Sequence, residues 1–287
     1  MTHSNSANRS GVGWRTVRAS VIGPGHVRQR IPNQDSCAVR EMADGFSVYA
    51  VADGAGSSSR SDDGSAFAAL ASVEAAQDAF GGPVPATMDD WFNALHFFRR
   101  DCLRYFDRSV DIAVRSVLRE KPGQSAPAVR ASYATTLLAV VARPPYFAYV
   151  SIGDCFLVTY RHDGSPHLVV TSADRENLGV TTFLTSPGRE PAMTSGIVFD
   201  PGIAGIALCT DGLCEGMLTV ENSDGKLAFR APAAFARYFE YFRAPEAREA
   251  DLGARLESEE FARTSNDDKT IIMAVAPAPV RAPEVRA

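Results

Sequence analysis

Residues 46–56, FSVYAVADGAG, join a run of apolar, β-branched and aromatic residues to an aspartate and a glycine-containing segment. Such a run predicts a short strand, and the Asp53-Gly54 pair predicts that the strand ends in a turn. Asp35, Asp154, Asp211 and Asp267 also stand next to apolar runs. The chain is therefore expected to place five carboxylates at strand ends.

A cluster of carboxylates at buried strand ends requires cations. Two such charges about 4 Å apart repel by roughly 4 kcal/mol at an effective dielectric of about 20. Oxygen-only ligands suit Mg²⁺ or Mn²⁺, whereas zinc calls for His and Cys at close spacing, which this sequence does not show. The first hypothesis is a polycarboxylate metal site.

The composition limits the partners and the compartment. The 287 residues are 45% hydrophobic with a formal net charge of -5, so the chain can bury a core but has no overall positive field for nucleic acid. No apolar run approaches the length of a membrane span, so no membrane partner is expected. The five scattered cysteines are typical of reduced core residues, which predicts a cytoplasmic location.

The order of the predicted elements favours an α+β layered fold in one domain, residues 14–275. Residues 1–13 and the Pro/Ala-rich residues 276–287 are expected to be disordered tails. Strands are predicted at 14–22, 36–40, 46–52, 135–141, 147–152, 156–160, 167–170, 203–209 and 270–275. Helices are predicted at 64–80, 88–118, 233–242 and 247–261. The hairpin-like strands with two long helices after the third strand argue against a doubly wound parallel sheet.

Each aspartate motif taken alone also has a structural explanation. Asp53 and Asp211 would each lie at the start of a capped helix, and Asp154 and Asp267 would lie in turns. The Asp53 loop lacks the Gly-Lys-Ser/Thr of a P-loop, which argues against nucleotide binding of that type. The order and context of the motifs together are more specific.

In that order the motifs resemble the PPM family, the protein-phosphatase-2C-like metal-dependent serine/threonine phosphatases. The resemblance rests on RIPNQDS at 30–36, VADGAG at 51–56, TTLLA at 135–139, SIGDC at 151–155, CTDGL at 209–213 and DDKT at 267–270. Bacterial members look most similar, because Ala-Gly follows Asp53-Gly54. The resemblance implies two antiparallel β-sheets packed as a central sandwich flanked by α-helices.

The resemblance also implies a metal site. Asp53 would bridge two metals, Asp211 and Asp267 would complete the first metal's shell, and the carbonyl of Gly54 would bind the second. Asp154 matches an aspartate that helps to hold a third, weaker metal in bacterial members. The remaining implied roles are a substrate-phosphate grip for Arg30, which with Asp53 forms the catalytic set, outer-shell positions for Gln34, Asp35 and Asp268, and a general-acid candidate in His26.

The implied activity is Mg²⁺- or Mn²⁺-dependent hydrolysis of phosphoserine or phosphothreonine in proteins. Two divalent ions lower the pKa of a bridging water and orient it for in-line attack on phosphorus. Arginine matches two phosphate oxygens with its planar fork. The expected partners are a phosphoprotein substrate and an opposing Ser/Thr kinase in bacterial signalling.

Two positions depart from the family pattern and keep other hypotheses open. Gln34 stands where most members carry a glutamate, and Ala55 leaves no histidine to protonate the leaving group. They motivate a second hypothesis, a catalytically weak regulatory or phosphoprotein-binding module, although a module has no need to hold repelling carboxylates together. A third is a hydrolase of small phosphoesters. Residues 172–187 match a variable flap beside the family's active site, where polar residues often select substrate.

Overall fold

Two antiparallel five-stranded sheets form the centre of the protein. The computed structural model describes residues 13–170, 181–223 and 226–277. One sheet has the strand order β1-β12-β9-β6-β7 and the other β2-β3-β4-β5-β8, and β10 and β11 form a separate hairpin. The strands are β1 Arg15–Val21, β2 Asp35–Glu41, β3 Ser47–Asp53, β4 Leu137–Arg143, β5 Tyr146–Ile152, β6 Phe156–Arg161, β7 Pro166–Val170, β8 Thr194–Phe199, β9 Ile203–Cys209, β10 Thr219–Ser223, β11 Lys226–Arg230 and β12 Lys269–Val275.

Helices pack on the outer faces of the two sheets. They are α1 Pro24–Gln29, α2 Ser61–Phe80, α3 Met88–Glu120, α4 Ala126–Ala131, α5 Arg189–Ala192, α6 Cys214–Met217, α7 Ala236–Arg243, α8 Glu249–Glu257 and α9 Glu259–Ala262. Short 3-10 turns cover Ala43–Gly45, Asp211–Leu213 and Ala233–Phe235. Within the described ranges, no helix has both the length and the apolar character needed to cross a bilayer.

Strand β3 is buried on both faces, which explains its nearly continuous apolar sequence. Tyr49 and Val51 face the core between the sheets, while Val48 and Ala50 face the core beneath α2 and α3. Side chains alternate between the two faces of a strand, so a strand covered on both sides is apolar at every position. The α+β sandwich flanked by helices is the predicted fold, and it is confirmed.

The nine predicted strands are all present, with ends shifted by up to two residues. Strand β8 was not predicted, because its sequence TSGIVF is half polar, and it lies at an exposed sheet edge. The single helix predicted at 247–261 is divided into α8 and α9 at Ser258, whose backbone is extended and whose side chain caps α9. The hairpin β10–β11 and helices α1 and α4 were also not predicted. The predicted tails lie almost wholly outside the described residues, as do residues 171–180 of the predicted flap.

The strand pairing brings the aspartate motifs to one end of the sandwich. Asp35 at the start of β2 pairs with Asp53 at the end of β3. Leu137 at the start of β4 pairs with Ile152, just before the turn that carries Asp154. Cys209 at the end of β9 pairs with both Phe156 and Ile271. The antiparallel register therefore gathers residues that are far apart in sequence.

Candidate metal centre

Three carboxylates from separate turns meet at this end of the sandwich. Asp53, Asp154 and Asp211 each offer an oxygen within 4.8 Å of the other two, and all three side chains are partly buried. Asp53 ends β3, Asp154 lies between β5 and β6, and Asp211 follows β9. Three of the five sequence-predicted metal positions therefore form one tight group.

Burial and mutual repulsion disfavour the ionised carboxylates in the absence of a cation. Burial, followed by the charges of Asp35 and Asp211, holds the pKa of Asp53 well above its ordinary value. Burial and then the charge of Asp154 raise the pKa of Asp211 to about 6. Burial likewise raises the pKa of Asp154. A divalent cation would offset these costs by favouring the charged forms.

Two oxygens of the cluster have no hydrogen-bond partner in the part of the chain that the structure describes. Asp154 Oδ1 and Asp211 Oδ1 are buried and accept no hydrogen bond from the described residues. Buried polar atoms without partners are uncommon in folded proteins and call for an unseen ligand or water. An all-oxygen donor set with free lone pairs fits Mg²⁺ or Mn²⁺.

Asp35 lies behind the cluster and faces Asp53 across the β2–β3 pair. Its Oδ2 accepts a 2.8 Å hydrogen bond from the Thr210 hydroxyl, and its side chain is buried. Burial holds the pKa of Asp35 well above its ordinary value, and the charges of Asp268 and Asp211 raise it further. Asp35 is therefore held behind Asp53 by its hydrogen bond with Thr210.

Two threonines fix the backbone of Asp53, a feature that the sequence analysis did not identify. The Thr136 hydroxyl accepts from Asp53 N at 2.9 Å, and the Thr135 hydroxyl donates to Asp53 O at 2.9 Å. Thr136 N also donates to Asp53 O at 2.8 Å. The TTLLA motif that carried part of the resemblance thus has a local reason: its first two residues hold the end of β3.

Gly54 stands where no side chain fits. A Cβ at this position would lie 2.6 Å from Ser61 O and 2.7 Å from Gln34 O. Its backbone N–H donates to Gln34 O at 3.1 Å. The backbone at residue 54 is therefore packed between the α1–β2 loop at Gln34 and the first residue of α2, Ser61.

Asp267 lies near the cluster but outside its tightest group. It is exposed, and it shares its group with His26 and Asp268, whose ligand atoms lie within 4.8 Å of one another and of Asp267. Its charge nonetheless contributes to the raised pKa values of Asp211 and Asp154. The structure thus brings Asp267 to the edge of the cluster.

Asp268 links three segments around the site. Its Oδ1 accepts from Gly23 N at 2.7 Å, and its Oδ2 accepts from Gln34 N at 2.6 Å. His26 Nδ1 lies 2.9 Å from Asp268 Oδ2. The contact with His26 Nδ1 does not have hydrogen-bond geometry, and Asp268 is 2% exposed, so its two hydrogen bonds with the backbone are made away from water. Asp268 therefore fixes the β1–α1 and α1–β2 loops to the start of β12.

Gln34 and His26 present polar atoms to the same glycine. A Cβ built on Gly56 would lie 3.9 Å from His26 Nε2 and 4.0 Å from Gln34 Oε1. The Gln34 amide nitrogen reaches Ser58 O at 3.4 Å, whereas its buried Oε1 has no hydrogen-bond partner among the described residues. Both side chains are buried. His26 is thus part of the packed site and not a surface residue.

Arg30 ends helix α1 in a left-handed conformation, with φ 59° and ψ 36°. Its side chain is exposed and forms no ion pair with any described residue. The loop that carries it is fixed to the metal-site side of the protein, because Gly25 N donates to Asn266 O at 2.9 Å and Ile31 N donates to His26 O at 3.0 Å. The guanidinium is thus free to bind an anion.

The segment predicted as a flap contacts the cluster through Thr181. Its hydroxyl donates to Asp154 Oδ2 at 2.9 Å, and Leu184 N donates to Thr135 O at 2.8 Å. Residues 171–180 lie outside the described ranges, so the contact concerns only the end of the predicted flap.

Solved structures with this fold include bacterial phosphatases. The serine/threonine phosphatase Stp1 from Staphylococcus aureus is 13% identical, with a TM-score of 0.58 over 93% of this chain and 97% of that one. PppA, a key regulatory component of T6SS in Pseudomonas aeruginosa, is 17% identical, with a TM-score of 0.59 over 92% and 98%. A C. elegans sex determining protein is 15% identical, with a TM-score of 0.59 over 92% of this chain and 65% of that one.

The sequence itself assigns the family. A search among curated proteins returned no match. The family profile of protein phosphatase 2C matches residues 22–257, which contain Arg30 and the aspartate motifs up to Asp211. The chain belongs to the protein phosphatase 2C family.

Proposed function

We propose that this protein is a Mg²⁺- or Mn²⁺-dependent phosphatase that hydrolyses phosphoserine and phosphothreonine in proteins. The observation that carries the proposal is the group formed by Asp53, Asp154 and Asp211, whose buried oxygens include two without a partner among the described residues. In a member of the protein phosphatase 2C family, such a donor set supports metal-dependent phosphate chemistry.

Under this proposal, Asp53, Asp211, Asp267 and the Gly54 carbonyl hold two cations, and Asp154 contributes to a third, weaker site. When bound, the cations would activate water for attack and neutralise charge on the phosphoryl oxygens. Thr135 and Thr136 hold the backbone of Asp53, so the carboxylate needs little reorganisation to bind. Preorganised groups of this kind are the main protein contribution to phosphoryl transfer.

Arg30 is proposed to grip the substrate phosphate. Its exposure and its lack of a carboxylate partner among the described residues support this role. His26 Nδ1 lies 2.9 Å from Asp268 Oδ2 without hydrogen-bond geometry, and its Nε2 lies on the Gly56 side of the site. His26 is therefore positioned to donate or accept a hydrogen bond there, in a family member whose Ala55 supplies none.

A second candidate function is a weakly active regulatory module that binds phosphoproteins. Gln34 favours it, because a neutral amide replaces an acidic group beside the cluster and its Oε1 has no partner among the described residues. The close carboxylates weigh against it, since a module without metals has no use for groups that repel.

The deciding experiment is hydrolysis of p-nitrophenyl phosphate and of a phosphothreonine peptide, with Mn²⁺, with Mg²⁺ and with chelator. Metal-dependent turnover of both substrates supports the proposed function. Turnover of p-nitrophenyl phosphate alone would favour a small-phosphoester hydrolase. Binding of the phosphopeptide without turnover would favour the regulatory module.

The proposal includes a phosphoprotein substrate and an opposing Ser/Thr kinase in bacterial signalling. A cytoplasmic location is also proposed. Its support is that none of the five cysteines forms a disulfide, and that three of them are buried in the core.

A further inference from the structure

A groove of about 890 Å³ lies between helix α3 and the short helix α5, away from the metal centre. Its lining contains three carboxylates and an excess of arginine, namely Arg99, Arg100, Arg104, Arg108, Arg115 and Arg189. The whole chain has a formal net charge of -5, so the groove is a local reversal of sign. Clefts lined by one sign of charge concentrate the field and attract the opposite charge.

Two of the groove's carboxylates are already paired, with Arg189 of the groove and with Arg130 outside it. Asp107 accepts from Arg189 Nη1 at 2.7 Å and also pairs with Arg130. Asp111 pairs with Arg130 at 2.9 Å, and Arg130 is not part of the lining. These negative charges are therefore not available to the remaining arginines.

Three arginines of the groove have no carboxylate partner among the residues that the structure describes. Arg99 donates to the carbonyls of Glu190 and Met193, and Arg115 Nε donates to Asp111 O at 3.1 Å. Arg108 makes no ion pair or side-chain hydrogen bond within the same ranges, and both Arg108 and Arg115 are exposed. Their charges are thus open to a ligand.

The arginines are arranged as a stripe along α3. Arg100, Arg104, Arg108 and Arg115 follow one another at intervals of four, four and seven residues, which places them on one face of a helix. The distance along the helix axis from the first to the last is ~22 Å at 1.5 Å per residue. An extended chain of about seven residues spans the same distance. Arg100 pairs with Asp101, and Arg104 pairs with Asp78 and Asp101, so the charges without a carboxylate partner among the described residues are those of Arg99, Arg108 and Arg115. Because these three are spread along α3, they fit an elongated anion better than a single phosphate.

We propose that this groove, the arginine groove, binds an acidic segment of about seven residues in the protein substrate. The assignment of this segment to a substrate rests on the proposed phosphatase function. The positive charge of the groove, which would attract an acidic segment, does not depend on that function. The link to the active site is the segment between the two: Arg189 stands eight residues after Thr181, whose hydroxyl contacts Asp154. Eight residues of chain span at most ~28 Å, so an acidic segment in the groove and a phosphoresidue at the metal centre can belong to one polypeptide.

The first test measures binding of a fluorescein-labelled heptaglutamate peptide by fluorescence anisotropy, at low salt and in excess chelator. The chelator prevents the glutamates from binding through a cation at the metal centre. The test variant is Arg108→Glu/Arg115→Glu. The matched control is Arg40→Glu/Arg237→Glu, which changes the net charge equally at two exposed arginines outside the groove. Arg40 has one hydrogen bond to a neutral group and Arg237 has none among the described residues, as in the test pair.

The groove variant should weaken peptide binding about tenfold or more, since two attractive contacts become repulsive. The control should change the Kd by less than about twofold, because charges beyond a Debye length are screened. Absence of binding to the wild type, or equal weakening in both variants, would overturn the proposal. If charge reversal lowers the Tm, Arg108→Gln/Arg115→Gln gives the same comparison with milder changes.

The second test separates the groove from the active site. The KM for a phosphothreonine peptide extended by an acidic segment should rise in the groove variant, while kcat/KM for p-nitrophenyl phosphate stays unchanged. An unchanged KM for the extended peptide would refute the substrate role. Loss of all hydrolysis in the wild type would refute the proposed function instead, and the anisotropy result would still decide whether the groove binds acidic segments.

Discussion

His26 Nδ1 lies 2.9 Å from Asp268 Oδ2, and both side chains are almost fully buried. The same carboxylate accepts the backbone N–H groups of Gly23 and Gln34. One side chain at the start of β12 thereby fixes the loops that carry His26, Arg30 and Gln34. Asp268 and its neighbour Asp267 should consequently have different roles, although they are the same residue type.

Asp268→Ala should lower the free energy of unfolding by about 3 kcal/mol or more, because it leaves buried donors without partners at roughly 1–3 kcal/mol each. Asp267→Ala should change it by less than about 0.5 kcal/mol, as is usual for an exposed position. Urea denaturation of the metal-free proteins measures both. Equal losses in the two variants would contradict the assignment of Asp268 as the structural link.

Asp53→Asn should abolish phosphatase activity and Mn²⁺ binding while the metal-free protein stays as stable as the wild type or becomes more stable. The substitution removes one of several buried charges that repel each other, and it removes the carboxylate shared by both proposed metals. Thermal unfolding with and without Mn²⁺ and calorimetric metal titration provide the readouts. Glu74→Gln, an exposed change on α2, is the control and should alter neither. Near-wild-type kcat in saturating Mn²⁺ would show that the metal assignment is wrong.

The stability of the metal-free protein should fall as the pH rises from about 4 through about 6. The folded-state pKa of Asp211 is raised to about 6, so this group favours the folded state fully below its unfolded pKa, and that contribution is lost as the pH passes the folded value. The loss should be on the order of 2 kcal/mol. Urea denaturation in chelator at pH 4.5 to 7.5 measures the slope, and Asp211→Asn should flatten it. With Mn²⁺ the trend should reverse, because protons compete with the cation for the carboxylates. A slope in chelator that is the same in both proteins would contradict the origin assigned to it.

Local patterns were sufficient to predict the strands, an α+β layered fold and carboxylates at strand ends, whereas the two-sheet sandwich and the roles of the individual aspartates came from the resemblance to the PPM family. Alternating or continuous apolar runs marked β3 and β9, and the aspartates Asp53, Asp154 and Asp211 follow directly from strand ends. The contacts that hold the loops of the site in place were not predictable in the same way. The contacts of Asp268 with Gly23, His26 and Gln34 join residues more than 230 positions apart, and no local spacing encodes them. The arginine groove was missed for a related reason, since its second wall comes from α5 and not from α3.

Arg30→Ala should raise the KM for a phosphothreonine peptide by about tenfold or more and leave Mn²⁺ affinity unchanged, because the exposed guanidinium contacts no carboxylate of the cluster. Arg30→Lys keeps the charge but loses the planar fork, so it should restore only part of the affinity. Steady-state kinetics and Mn²⁺ titration distinguish the two effects. A large loss of Mn²⁺ binding with an unchanged KM would assign Arg30 to the metal site and not to phosphate.

Gln34→Glu should lower the Mn²⁺ concentration that gives half-maximal activity by about tenfold, the lower end of outer-shell effects. The buried Oε1 of Gln34 accepts no hydrogen bond from the described residues and is directed to the Gly56 side of the site, so a carboxylate there would add charge where the cations are proposed to bind. Without Mn²⁺ the same change should destabilise the protein, because it places a negative charge on a side chain that is 4% exposed. Mn²⁺ should therefore raise the Tm of Gln34→Glu more than it raises the Tm of the wild type.

Gln29→Glu is the matched control, since it makes the same chemical change at an exposed position on α1 and should shift neither the half-maximal Mn²⁺ concentration nor the Tm. Coincident Mn²⁺ titrations for wild type and Gln34→Glu would show that charge at this position does not affect metal binding, and inactivity of both proteins would favour the regulatory-module hypothesis.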